Sequence, residues 1–486
     1  MTQAAELRTQ IRQWRRGRAD TKVIDAFVDA YVWVFAAAML FSMVVSAVIN
    51  LRRTTHCTST GCLDARAVLP WAVGAGLLLL GLGLARLFGP VFASPAEGSW
   101  LLLAPVDRTQ LLRGRLALQL VTTAVVVGGL GCGVAALAGM PGAAVGAFAG
   151  TFALLGAVVV AFAATTQAGP GLPARVLGWL LGLAVWVALL GLAGSTVPTT
   201  RVPQVGVVWV VVLVGSVVLC VLLVVRAMTG LHRLRRTDLV PGGQLGPSLS
   251  GALAALDLAL LYDVLLARRW QGVEAVRPRR GLPPGVSALI RREVVRAVRN
   301  PAPWVLLAAS VVLPYAGAGV GLGQVVVLLA SLGAFLAGLN LMPALRMFTR
   351  SASLTRAFPF PDHVLRTAAL AVPGAGLVLA GVAATPAIHD AGGGTWSLAF
   401  MTGVGAGLSA VAAATRWVTG RPPDWSRPLV TSPMGAVPTN LYGSVLRGFD
   451  VLVLTTGPML IWSSGGGVEA SIVLSVITLA YLLGRK

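Results

Sequence analysis

Acidic residues are scarce in this sequence: 17 Asp and Glu stand against 38 Lys and Arg in 486 residues, and charged residues of both signs make up only 11% of the chain. Soluble domains carry about 25% charge, so a water-soluble globule is excluded. Lysine is rarer still, with Lys22 and Lys486 the only two. A Gly-x-x-x-x-Gly-Lys-Ser/Thr phosphate loop has no lysine to draw on, and ATP hydrolysis by this chain through such a loop is excluded. The four histidines, His56, His232, His363 and His389, are scattered. No Asp-x-Asp, His-Glu-x-x-His or Gly-x-Ser-x-Gly occurs near them. A membrane-embedded hydrolase or transferase needs a carboxylate or histidine pair near one interface, so the sequence reads as a non-enzyme.

What is abundant is apolar. Hydrophobic residues make up 56% of the chain, and mean hydropathy is +0.82. The 58 Gly and 28 Pro punctuate Leu/Val/Ala runs rather than polar tracts, as bilayer-spanning helices tolerate. A bilayer core of about 30 Å takes about 20 apolar residues per helix. Twelve such runs can be marked, near 30–49, 67–88, 115–138, 143–166, 176–197, 204–227, 303–319, 323–345, 367–388, 395–415, 448–464 and 468–484. The expected fold class is therefore an all-α polytopic membrane protein of about twelve transmembrane helices. An N-terminal half, 1–227, and a C-terminal half, 286–486, flank an Arg/Pro/Gly-rich cytoplasmic linker, 228–285.

Charge orients the chain. With the N-terminus cytoplasmic, alternate loops place Arg52, Arg53, Arg66 and Arg201 outside and the other 34 basic residues inside. That bias predicts a multi-pass protein of the cell membrane with both termini cytoplasmic. It assigns the high basicity to anionic membrane lipid rather than nucleic acid. Leu249 to Leu266 is almost apolar but carries Asp257 and Asp263, so it reads as a surface helix rather than a thirteenth span. No cleavable signal is evident, because the first apolar run begins after roughly thirty residues and has full spanning length.

The two halves echo each other. Leu7, Ile11 and Trp14 share a helical face opposite Arg8, Arg12, Arg15 and Arg16, giving an amphipathic lead-in helix at 5–17. Ile290, Val294 and Ala297 repeat the pattern against Arg292, Arg296 and Arg299, giving a second at 286–300. The loops after the second span of each half, 94–114 and 346–366, also correspond. One reads Trp100-Leu-Leu-Leu-Ala-Pro105-Val-Asp107-Arg108-Thr-Gln-Leu-Leu-Arg113 and the other Leu354-Thr-Arg-Ala-Phe358-Pro359-Phe360-Pro361-Asp362-His-Val-Leu-Arg366. Each sets a proline after an apolar residue, then an acid and a Leu-Arg pair opening the next span, as suits a short helix ending in a turn.

This pattern resembles the permease subunits of ABC-type exporters, in a form that fuses two halves. In that family a half-unit is an interfacial helix, six spans and a short coupling helix between the second and third spans. The resemblance covers nearly the whole chain as architecture, and its sequence anchor is the Ala-Pro-Val-Asp-Arg loop around Pro105. The second loop departs from the first: it has one residue fewer between proline and arginine, and Pro361 stands where the first has Asp107. The resemblance implies two ATP-binding cassette subunits as partners, with ATP and Mg bound on them and no cofactor in this chain. Their contact surface would be Trp100, Pro105, Asp107 and Arg108 in one half and Phe358, Pro359, Phe360 and Asp362 in the other.

Two rival readings stay open. An ion-coupled secondary carrier also fits a six-plus-six arrangement, but such carriers keep ionisable groups inside the membrane. Asp29, Asp450 and Glu469 fall at span ends, and the Gly-x-x-x-Asp-x-x-Gly-Arg pattern is missing from the first inner loop. A non-transporting scaffold or sensor subunit would use the same fold. In the first outer loop His56, Cys57, Cys62 and Asp64 could supply four zinc ligands, whereas two cysteines in an oxidising compartment more often pair, which favours a Cys57–Cys62 disulfide over a metal or free thiols. Gln119, Thr122, Thr123, Thr165, Thr166, Asn340, Thr455 and Thr456 are the polar groups inside the spans, all uncharged. A pathway so lined suits an amphiphilic cargo such as a lipid, peptide or drug.

Overall fold

The structure is a computed structural model, and it describes residues 60–100, 102–103, 108–167, 169, 172–193, 207–254, 285–392, 394–420, 429–432, 435–438, 446–462 and 465–484, with isolated helical positions at 39, 42, 46, 260, 262–264 and 267. The lead-in helix expected at 5–17, most of the first expected span and Cys57 lie outside these residues.

In hydrocarbon every backbone N–H and C=O must be satisfied within its own segment, so long apolar runs can only be helices. Nine helices among the described residues are long and apolar enough to cross a membrane, or ten if a bent pair is one span. The chain is an all-α polytopic membrane protein, with one short antiparallel hairpin among the described residues, Leu429–Ser432 against Gly435–Pro438, outside its helices. Two compact units divide it: Met1–Ala188 with Pro198–Pro247, and Leu189–Val197 with Ser248–Lys486. The expected linker is thus split, its residues up to Pro247 belonging to the first unit.

The first unit is built from α1 (Thr60–Phe88), α2 (Pro95–Trp100), α3 (Arg108–Leu137), α4 (Gly142–Thr166), most of α5 (Leu172–Ala193), α6 (Val207–Gly230) and the start of α7 (Arg236–Ala254). One of its core clusters is built around aromatic rings. Phe148 stacks on Phe152 with ring centroids 4.4 Å apart, and Trp71 stacks on Trp209 at 5.6 Å. Helices α3 and α4 approach closely at Gly128, where a Cβ would lie 2.8 Å from the Ala153 Cβ. Small residues let apolar helices gain dispersion contacts where lipid offers no hydrophobic driving force. By contrast α5 and α6 turn Leu172, Val176, Trp179, Leu180, Val211, Val214, Val218 and Leu222 outward, as lipid-facing helices do.

The second unit contains α8 (Val286–Arg299), α9 (Ala302–Ser310), α10 (Val312–Val320), α11 (Val325–Gly338), α12 (Pro343–Arg350), α13 (Ala352–Arg356), α14 (Asp362–Ala383), α15 (Thr385–Gly392), α16 (Trp396–Thr419), α17 (Phe449–Ile461) and α18 (Gly465–Gly484). Helix α16 is its central post: 72% of its most apolar stretch is buried, against 6% for Leu172–Gly191 in α5. Glycines make this possible, since a Cβ at Gly403 would lie 2.7 Å from the Gly381 carbonyl oxygen and one at Gly407 2.7 Å from the Val378 Cα. Phe335, Trp417 and Phe449 pack edge to face around it.

Two expected spans take other forms. The run at 323–345 becomes Val325–Leu341 followed by Pro343–Arg350 at 64° to it, a break set by Pro343 at the first helical position. The run at 448–464 becomes the 13-residue helix α17, about 20 Å long at 1.5 Å per residue. Asp450 organises the start of α17 by accepting from the Gly448 and Val451 N–H groups at 2.7 and 2.9 Å. Its other oxygen lies 3.5 Å from Arg416 at the end of α16. The carboxylate therefore sits at a helix end, where the sequence placed it.

Candidate functional site

Each unit carries a serine-capped short helix in the chain just ahead of a long apolar helix. In the first unit this is α2, between α1 and α3. The Ser94 N–H donates to Glu97 Oε2 at 2.9 Å and the Glu97 N–H to Ser94 Oγ at 3.3 Å, a reciprocal capping box that starts a helix despite its six-residue length. Arg115 of α3 fixes the loop from the other side, donating to the Phe92 carbonyl at 2.7 Å and to Glu97 Oε1 at 2.5 Å. Burial works against the ionised form of Glu97, but the bonds from Arg115 and Ser94 outweigh it and hold the carboxyl below its ordinary value.

Gln167, just past α4, supplies a second clamp. Its carboxamide accepts from the Val91 N–H at 3.3 Å and donates to the carbonyls of Val91 at 2.8 Å and Asp238 at 2.9 Å. The turn beside it needs glycine, because Gly89 has φ of +74° and a Cβ there would lie 2.6 Å from Gln167 Nε2. The same loop is backed by α7, whose Gly242 and Gly243 press on the carbonyls of Phe88 and Ala93.

In the second unit the equivalent helix is α13, between α12 and α14. Ser351 caps it, its Oγ accepting from the Leu354 N–H at 3.4 Å. Asp362 opens α14 and lies 4.0 Å from Arg366 one turn on, an acid at the positive end of the helix.

Of the expected contact residues, Trp100 is 80% exposed at the end of α2, beside Leu103 at 67%. Arg108 is exposed and donates to the Leu102 carbonyl at 3.2 Å, closing the loop. Pro105 and Asp107 lie outside the described residues. Pro359 and Asp362 are exposed. Phe358 and Phe360 instead pack half-buried against the unit's core, Phe358 meeting Phe348 edge to face at 5.6 Å. The second loop thus offers less apolar surface than its sequence promised, because α12 supplies a ring for Phe358 to rest on.

The second lead-in helix falls on α8. Val286, Ile290, Val294 and Val298 form an exposed apolar stripe along it while Glu293 is buried. The expected face ran through Ala297, which is half-buried beside Asn340 and Trp304. Near it Tyr262 and Asp263, from the stretch read as a surface helix and part of the same unit, bond to neighbouring elements: Tyr262 donates to the Leu339 carbonyl at 2.9 Å and Asp263 lies 2.5 Å from Arg346.

Four of the polar groups expected inside the spans are committed to their own helices. Thr455 and Thr456 are fully buried and donate to the Val451 and Leu452 carbonyls, and Thr165 and Thr166 donate to Phe162. Among the described residues no group of three or more His, Cys, Asp or Glu is placed to hold a metal. Cys57 and the Cys62 side chain lie outside the description, and with them the expected disulfide.

Membrane-spanning helices joined by capped, clamped loops define a polytopic membrane protein. The chain belongs to DUF6297, a family of unknown function, which it matches over residues 62–428. No curated protein matches it.

Proposed function

We propose that this chain is the permease of an ATP-driven ABC-type exporter, its twelve spans arranged as two six-span halves in the cell membrane with both termini cytoplasmic. The observation that carries the reading is the recurrence of α2 and α13, each a short serine-capped helix just ahead of an apolar helix, in two units of one chain. Two separate ATP-binding cassette subunits, carrying ATP and Mg, would dock on these helices. Nucleotide-driven closure would push the helices and rock the halves between inward-facing and outward-facing states.

The first loop is suited to transmit force. Its hold on α3 through Arg115 and on the chain after α4 through Gln167 ties α2 to the helices that would have to tilt. Trp100 is the contact expected to dominate, a large exposed aromatic of the kind that anchors interfaces. With the hydroxyls of Thr165, Thr166, Thr455 and Thr456 bonded to their own backbones, the pathway would be largely apolar in character, which favours an amphiphilic cargo.

Copurification with an ATP-binding cassette subunit encoded beside it, followed by ATPase assay in vesicles, tests the reading. Trp100→Asp, Pro105→Asp and Phe358→Asp should each lower substrate-stimulated hydrolysis while the chain still inserts. Unaltered coupling in all three, or uptake driven by an ion gradient without ATP, sinks the assignment in favour of a carrier. Binding of the subunit without transport makes the chain a scaffold.

A further inference from the structure

A cavity of about 740 Å³ in the second unit lies under α8 and is walled by α12, α13 and the chain just after it. That volume is in the range of pockets that hold small ligands, about 300–1,000 Å³. Four arginines line it, Arg292, Arg296, Arg346 and Arg350, against two carboxylates, Asp263 and Glu293. Asp263 lies 2.5 Å from Arg346 and 3.7 Å from Arg350, and Glu293 pairs with Arg296. The lining keeps an excess of positive charge, with Arg292 exposed to solvent. Its remaining walls are apolar, with Leu289, Met347, Phe348 and Phe358 among them.

The other face of α8 sets the depth at which this cavity sits. The stripe Val286, Ile290, Val294 and Val298 is exposed on a helix whose opposite side carries arginine. Helices of this kind lie along the boundary between head groups and acyl chains. A cationic mouth with greasy walls at that boundary matches the chemistry of a phospholipid: guanidinium forks bind a phosphate bidentately, and the apolar walls receive a chain. A free inorganic anion would leave those walls unused.

We propose that the cavity under α8 is a binding site for an anionic phospholipid, with its headgroup phosphate held by Arg292, Arg296 and Arg350 and an acyl chain lying against Leu289, Met347 and Phe358. The site stands independently of the transport reading. Burial pushes the Glu293 carboxyl up even though Arg296 and Arg292 work the other way, which weakens repulsion of the phosphate from that wall.

The test is native mass spectrometry of the full chain in detergent with chain-matched phosphatidylglycerol and phosphatidylcholine. The protein should retain phosphatidylglycerol preferentially. Arg292→Gln, which removes one charge-assisted contact, should weaken that retention about tenfold. Met347→Trp, which fills the apolar part from a side chain 48% exposed, should weaken it comparably. Both residues are surface-accessible, and an unchanged thermal midpoint in each variant establishes that the fold is kept. Equal retention of the two lipids, a preference unaltered by either substitution, or displacement by millimolar inorganic phosphate would overturn the proposal.

Discussion

The guanidinium of Arg115 lies 2.5 Å from the carboxylate of Glu97, so a residue of α3 holds down the six-residue helix α2. A helix this short has no stability of its own. The capping box and this ion pair together keep it formed and aimed.

Acid should loosen that attachment. Glu97 ionises more readily in the folded protein than in the unfolded chain, because the Arg115 and Ser94 bonds outweigh burial. Its contribution is therefore complete above the ordinary carboxylate value of about 4.3 and is lost as pH falls through the lower folded value. Amide exchange in α2, corrected for its intrinsic rate, should accelerate below about pH 4. Glu97→Gln should remove this acid step and speed exchange of the same amides at neutral pH by about fivefold, the equivalent of losing about 1 kcal/mol of capping.

Helix α7 should tolerate a methyl at one glycine and not at another. A Cβ at Gly242 meets the Phe88 carbonyl, whereas one at Gly246 has nothing within 4 Å. Gly242→Ala should lower the thermal midpoint in detergent by an amount equivalent to about 2 kcal/mol or more. Gly246→Ala should leave it unchanged or slightly raised. Equal midpoints for the two variants would contradict this packing.

Neutralising Glu293 should stabilise the protein at neutral pH. Burial raises its pKa against the pull of Arg296 and Arg292, so the penalty for ionising is absent below the unfolded value and complete above the folded one. Glu293→Gln, which mimics the protonated acid, should raise the midpoint at pH 7 and bring little change at pH 4. Arg296 keeps its bond to the Leu341 carbonyl at 2.8 Å in either case.

Trp100 and Phe358 should separate docking from packing. Trp100→Ala removes a ring that is 80% exposed, and the midpoint should stay within about 0.5 kcal/mol of wild type. Phe358→Ala removes a ring packed on Phe348 at 5.6 Å and should cost about 1–2 kcal/mol. Comparing thermal stability with partner binding in the two variants tells a contact residue from a supporting one.

The membrane class and most of the long helices were legible in the sequence because hydrocarbon length and backbone satisfaction leave few alternatives. The lead-in helix at 286–300 was legible to within a residue at its ends, since the Ile290/Val294 stripe needs no tertiary information. The bend at Pro343 was not, because that apolar run continues up to it and only the packing of α12 on α14 and α16 gives the kink a purpose. The short α17 was hidden because the run was carried on over Trp462, Ser463 and Ser464, past the point where the helix stops at Ile461. In the loops, Trp100 and Phe358 read alike as contact residues, yet Trp100 is exposed while the burial of Phe358 depends on Phe348, ten residues earlier. Ser94, Glu97, Arg115 and Gln167 were missed altogether. The spacing of Ser94 and Glu97 is a capping box that could have been found, while the bonds of Gln167, across 76 and 71 residues, leave no local trace.

Gln167 does for the first unit what a clasp does for two straps. One carboxamide fastens Val91, ahead of α2, to Asp238, beyond α6, so a tug on either strap is felt by the other without passing through the greasy rods between them. A glutamate of the same shape could keep the bond from the Val91 N–H but would turn both donations into oxygen facing oxygen, and the two straps would swing apart.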